Sequence, residues 1–119
     1  MTNYDLEERT TKFAEEIVEL CKLTKITEYN KNIIEQLLRA GTSVGANYFE
    51  ANGAESKKDF RHKIHICKKE AKESMYWLRL FAKTGLINDL LQKTRNLWQE
   101  AKELSKIFAK IGLTTKIEN

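Results

Sequence analysis

Four stretches of this chain carry apolar residues alternately three and four positions apart, and none of the 119 residues is proline. That spacing draws one apolar seam along each of four helices, and no proline is present to break them. Leu6, Thr10, Phe13, Ile17, Leu20 and Thr24 form the first seam. Ile34, Leu37, Leu38, Val44 and Tyr48 form the second, together with Gly41 and Gly45. Phe60, Ile64, Cys67, Ala71, Ser74, Leu78 and Phe81 form the third, and Leu90, Thr94, Leu97, Ala101, Leu104, Phe108 and Ile111 the fourth. The expected fold is all-α, an antiparallel up-down-up-down four-helix bundle in a single domain spanning 1–119. The helices are expected over about 4–23, 30–53, 57–84 and 88–112, with a loose tail over 113–119.

Local signals set these bounds. Asn30 is placed to cap the second helix, and Ser56 with Asp59 three residues on reads as a capping box for the third. Gly85 suits a C-cap, the fourth helix follows Asn88, and Gly112 is expected to stop it.

The second helix is unusual in a chain that is 32% charged, because no residue between Arg39 and Glu50 carries a charge. Gly41 and Gly45 share a face and allow another helix to approach closely. The opposite face holds Arg39, Thr42, Ser43, Ala46, Asn47 and Glu50, short polar groups suited to a buried contact between subunits. Residues equidistant from the turn near Ala54 lie level on antiparallel helices. Arg39 is therefore expected to be neutralised by Glu70 or Glu73, in the same chain or in a neighbouring copy. Trp77 lies off its seam, on a flank that a lone chain would expose, and Trp98 lies beside its own seam. Aromatics so placed read as helix or subunit contacts rather than base-stacking platforms.

Net charge is +4 but unevenly placed, with −3 over residues 1–50 and +7 over 51–119. The first helix is acidic on its outer face, through Glu7, Glu8, Glu15, Glu16 and Glu19. On the third helix Lys58, Arg61, His65, Lys68, Lys72 and Arg79 make one stripe, thickened by Lys57 and Lys69. It lies about 115° around the helix from the seam, where it faces solvent. Such a stripe suits phosphate, the alternative being an ordinary solvated lysine face.

Other chemistries find little support. Asp59 with His62 is a single echo of the Glu-x-x-His repeat of di-iron bundles, so no metal or cofactor is expected. Ser43 has no histidine placed to activate it. Glu50, Glu70 and Glu73 lie nearest to apolar segments, and ion pairing is the expected role for them rather than acid–base catalysis. Cys21 and Cys67 fall at seam positions and are expected to be buried free thiols. No apolar run reaches the roughly 18 residues of a membrane span. The acidic amino terminus, Asp5, Glu7 and Glu8, is unlike a signal peptide, so the cytoplasm is expected.

Several motifs together resemble a known family. They are Leu6-Glu7-Glu8-Arg9-Thr10, the run from Gln36 to Tyr48 with Glu50-Ala51, Ser56 with Asp59-Phe60 and Lys63, and Lys69-Glu70-Ala71 with Tyr76-Trp77-Leu78. This set is similar to the bacterial four-helix-bundle proteins encoded in intervening sequences of 23S ribosomal RNA genes. The match covers the first three helices, and the fourth agrees in general pattern. The resemblance implies an antiparallel bundle that assembles into a ring, commonly a pentamer, without catalysis. A relative serves as the accessory variability protein of diversity-generating retroelements and binds a reverse transcriptase and nucleic acid.

The expected function is therefore a non-enzymatic, homo-oligomeric scaffold or adaptor that binds RNA or DNA through Lys57, Lys58, Arg61, His65, Lys68, Lys72 and Arg79. Its interface would be built from Arg39, Thr42, Ser43, Ala46, Asn47, Glu50, Glu70, Glu73 and Trp77. The alternative is a protein-only interaction module, for example a partner of a polymerase or reverse transcriptase. An enzyme is a distant third.

Overall fold

The computed structural model of the chain describes residues 3–115. Four helices follow one another: α1 (Asn3–Leu23), α2 (Lys31–Asn52), α3 (Lys57–Phe81) and α4 (Asn88–Thr114). Each packs on its sequence neighbours, and α1 also meets α4, which closes an up-down-up-down bundle with extents of 51 × 24 × 19 Å. The described residues contain no strand.

The core is made of the four seams. Leu6, Phe13, Ile17 and Leu20 of α1, Leu37 and Val44 of α2, Ile64 and Leu78 of α3, and Leu104 and Phe108 of α4 are all buried. Burying each such side chain contributes about 1.5 to 3 kcal/mol, and here lies the main source of stability. Hydroxyls on the seams are satisfied within their own helices. Thr10 donates to Leu6 O, Thr24 to Leu20 O, Ser74 to Glu70 O and Thr94 to Leu90 O, all at 2.7–2.9 Å. A buried hydroxyl without such a bond would cost the fold about twice what such a bond contributes.

Gly41 and Gly45 let α1 settle onto α2. A Cβ at position 41 would lie 3.0 Å from Ile17 Cγ1, and one at 45 would lie 3.3 Å from Thr10 Oγ1 and 3.4 Å from the Thr10 carbonyl carbon.

The helix ends depart from the sequence reading in three places. Asn30 is buried but makes no cap bond to α2. Its Oδ1 accepts from Thr27 N at 2.8 Å and its Nδ2 donates to Lys25 O at 2.9 Å, so it ties together the α1–α2 loop. The third helix stops at Phe81, before Thr84. Lys83 N and Thr84 N bond to Leu80 O and Phe81 O, a tightened last turn that unwinds the chain before Gly85. Gly85, at φ 97°, supplies the left-handed turn of the loop. The fourth helix passes through Gly112 and ends at Thr114, because Gly112 is buried under the His65 ring. Residues 113 and 114 are thus helical, and residues 116–119 of the expected loose tail lie outside the described residues. The third start signal does form, with Ser56 Oγ accepting from Asp59 N at 3.0 Å.

Candidate nucleic-acid interface

The seam of α3 faces the core, so its two flanks face its neighbours α2 and α4. Glu70 and Glu73 bond to Arg39 of α2, and Lys63 bonds to Glu50 of α2 at 3.2 Å. This fixes the acidic flank of α3 toward α2. The other flank meets α4, where the His65 Cε1 would lie 3.5 Å from a Cβ at Gly112. The stripe of Lys58, Arg61, His65, Lys68, Lys72 and Arg79 runs along that flank and outward from it. Lys57, Lys58, His65, Lys72 and Arg79 are exposed, and Arg61 and Lys68 half-buried. None of the seven makes an ion pair among the described residues. Arg61 Nε is buried without a hydrogen-bond partner.

The fourth helix doubles the stripe. Arg9 of α1 grips Glu100 through Nε and Nη2, both at 2.7 Å, which turns the acidic flank of α4 toward α1. Helical spacing then puts Arg95, Lys102 and Lys106 on the opposite flank, beside α3. The antiparallel register, fixed by Arg79 and Arg95 lining one groove and by His65 against Gly112, sets Lys72 level with Lys102 and Lys68 level with Lys106. Asp59, Glu70 and Glu73 of α3 and Asp89 and Glu100 of α4 fall on the flanks away from this face, and Glu103 stands at its edge, accepting from Gln99 Nε2 at 3.0 Å. The outer surface of the α3–α4 pair is thus rich in cations, with Glu103 at its edge.

Toward the 82–87 loop the face dips into an open groove of about 570 Å³, lined by Leu78, Arg79, Ala82, Lys83, Leu91, Thr94, Arg95 and Trp98. Trp98 packs against the core, and Lys102 Nζ sits 5.5 Å from its ring centroid. A second cleft of about 280 Å³ lies between α1 and α4, lined by Glu16, Glu19, Leu20, Lys93, Asn96 and Leu97. Its charges are mixed, and it shows no preference for an anion.

The residues expected at a subunit interface are brought together only in part. Arg39 Nη1 lies 3.2 and 3.3 Å from the Glu70 oxygens and Nη2 3.1 Å from Glu73 Oε2, all within one chain. Burial, followed by the Glu73 carboxylate, raises the Glu70 pKa, and Arg39 opposes that rise. Its hydrogen bond with Glu70, helped by Arg39, lowers that of Glu73. Thr42 and Ser43 donate back to Leu38 O and Arg39 O, and Asn47 Nδ2 donates to Ser43 O, so their polar groups are met inside α2. Ala46 and Glu50 are exposed.

Trp77 departs from expectation. A lone chain exposes it only in part, because it is half-buried against the core with Nε1 buried and unpartnered, and Tyr76 meets it edge-on at 5.0 Å. Tyr76 is the exposed aromatic of the pair. The sequence reading missed Phe49, which is 73% exposed on the same face as Thr42 and Ala46, seven and three residues before it. Its signal was an aromatic side chain outside the apolar stripe.

No group of three or more His, Cys, Asp or Glu side chains able to hold a metal occurs among the described residues. Nor is any described helix long and apolar enough to cross a membrane.

Comparison with known proteins agrees with this architecture. A crystal structure of a protein of unknown function from the S23 ribosomal protein family of Bacteroides thetaiotaomicron VPI-5482 superposes with a TM-score of 0.80 at 32% identity. The match covers 96% of this chain and 100% of that one. No curated protein matches. The family model described as 23S rRNA-intervening sequence protein matches residues 2–110. With nine-tenths of its length so matched, the chain belongs to the 23S rRNA-intervening sequence protein family.

Proposed function

We propose that this protein is a non-enzymatic, oligomeric scaffold or adaptor of the cytoplasm that binds RNA or DNA through phosphate contacts. The observation that carries this reading is the basic α3–α4 face, where Lys72 and Lys68 stand level with Lys102 and Lys106. Cations spread along a rod about 51 Å long match the repeating charge of a nucleic-acid backbone. Phosphate contact of this kind has little preference for sequence and weakens steeply with salt. Assembly would multiply the face, and Phe49 with Thr42 and Ala46 offers an exposed contact for a second copy. The family resemblance implies a ring of five. Light scattering tests assembly, and a 13.9 kDa particle at micromolar concentration would refute it.

Replacing Arg61, Lys68 and Lys72 with glutamate tests the interface. Retention of an RNA or DNA oligomer at low salt should be lost while helical content stays unchanged. A triple variant that binds as the parent does would remove the face from the account.

A second reading has one observation in its favour. Glu8, Glu15, Glu16 and Glu19 stand exposed on α1, and an acidic protein surface of that kind complements the α3–α4 face. On this reading the protein is a protein-only interaction module, such as a partner of a polymerase or reverse transcriptase. Binding to an acidic protein, with no binding to oligonucleotides at low salt, would favour it.

A further inference from the structure

We infer that the groove beside the 82–87 loop seats an unstacked base, so that the α3–α4 face holds single-stranded nucleic acid in preference to a duplex. This inference rests on the nucleic-acid reading above and adds a site to it. Three observations support it. First, the rim carries Arg79, Lys83 and Arg95, all exposed, and no carboxylate lines the groove. Second, the walls are apolar and aromatic, with Leu78 and Leu91 beside the Trp98 indole. Third, the volume of about 570 Å³ falls within the roughly 300–1,000 Å³ typical of clefts that hold small ligands.

Cations around an aromatic wall suit a nucleotide, whose phosphate and π-face are covalently joined. A bare phosphate would leave the indole unused, and a neutral aromatic would leave the three cations unused. Lys102 already holds one position over the Trp98 ring, and Leu91 and Arg95, from the preceding turns of α4, line the groove with it. A base entering there would stack on, or meet edge-on, the uncovered part of the indole while its phosphate meets the rim. Bases in a duplex are stacked on one another, so their faces cannot meet an indole without being extruded. Selectivity for single strands follows. Stacking on one indole tolerates all four bases, so sequence preference should stay weak.

The test compares three probes of equal phosphate number at low salt: a single-stranded oligonucleotide, an abasic strand, and a duplex. Affinity for the single strand should exceed that for the abasic strand and the duplex by about tenfold, the size of one stacking contact. In Trp98→Leu, which keeps an apolar side chain but removes the π-face, that excess should vanish while abasic binding is retained. Should Trp98→Leu fail to fold, the wild-type chain still gives an answer, because its indole fluorescence should be quenched by the single strand and not by the abasic strand. Equal affinity for the three probes, or an excess that survives Trp98→Leu, would overturn the groove and leave the phosphate-binding face standing. Failure to bind any of the probes would overturn both.

Discussion

Arg39 on α2 places Nη1 3.2 and 3.3 Å from the two carboxylate oxygens of Glu70 on α3, so a half-exposed cation neutralises a carboxylate that the fold has buried. The pair lies within one chain and does not need a second subunit to close. Removing the guanidinium leaves Glu70 buried beside Glu73 with no counter-charge. Arg39→Ala should cost about 1 to 2 kcal/mol in chemical denaturation, less than for a fully buried pair because Arg39 reaches solvent. A loss too small to measure would show that solvent already screens the contact.

The same triad sets an acid response. Burial raises the Glu70 pKa above its ordinary 4.5, so the folded state holds a proton there that the unfolded chain has released. Stability from this group therefore rises as pH falls toward 4.5. The lowered pKa of Glu73 acts in the opposite sense, and its contribution is lost as pH falls below 4.5. Glu70→Gln should remove the first effect and keep the second in part, since Arg39 still lowers the Glu73 pKa after the Glu70 carboxyl is gone. Denaturation midpoints for both proteins between neutral pH and the carboxylate range would show whether the gain on acidification disappears in the variant.

Close packing of α1 on α2 depends on a missing side chain at Gly41. Ile17 surrounds the position with atoms at 3.0, 3.1 and 3.4 Å from where a Cβ would stand. Gly41→Leu should destabilise the bundle by about 1 to 3 kcal/mol through overpacking. Gly53→Ala is the control, since a Cβ there meets only Glu50 O at 3.7 Å, and its effect should stay within about 0.5 kcal/mol. Equal midpoints for the two variants would mean that α1 can shift to make room.

Both cysteines are buried free thiols. Burial pushes Cys67 up to about 12 and Cys21 to about 11, from an ordinary 9.0. Neither forms thiolate at neutral pH, so iodoacetamide should label them only when the chain unfolds. Above pH 9.0 the unfolded thiols ionise while the folded ones stay protonated, so stability should fall as pH rises through 9.0 toward 11 and 12. Rapid labelling of the native protein would show an opening that exposes α1 or α3.

The helices and their buried faces were legible because each seam repeats at three and four, and burial follows that repeat from Leu6 to Phe108. Helix ends were less legible, since they depend on neighbours in space. Asn30 was taken up by Thr27 and Lys25, and Gly112 was kept helical beneath His65. Periodicity gives the inward face of a helix but not which neighbour lies on each flank. The basic stripe of α3 could thus be read from the sequence, whereas its extension through Arg95, Lys102 and Lys106 required the register of α4. The Arg9 to Glu100 clamp was missed for the same reason: its partners are 91 residues apart. The half-burial of Trp77 also depended on how the flank of α3 meets its surroundings.

The central claim is that one continuous cationic face on α3 and α4 holds nucleic acid by its phosphates. The most direct measurement is the affinity of a single-stranded oligonucleotide as salt is raised from about 50 to about 200 mM, in the parent and in a Lys102→Glu, Lys106→Glu variant. In the parent, log affinity should fall linearly with log salt. The variant should bind more weakly at every salt concentration, with a slope shallower by about 0.7 for each phosphate that the two lysines would otherwise neutralise. Absence of binding at the lowest salt, or a variant whose affinity and slope match the parent, would contradict the account.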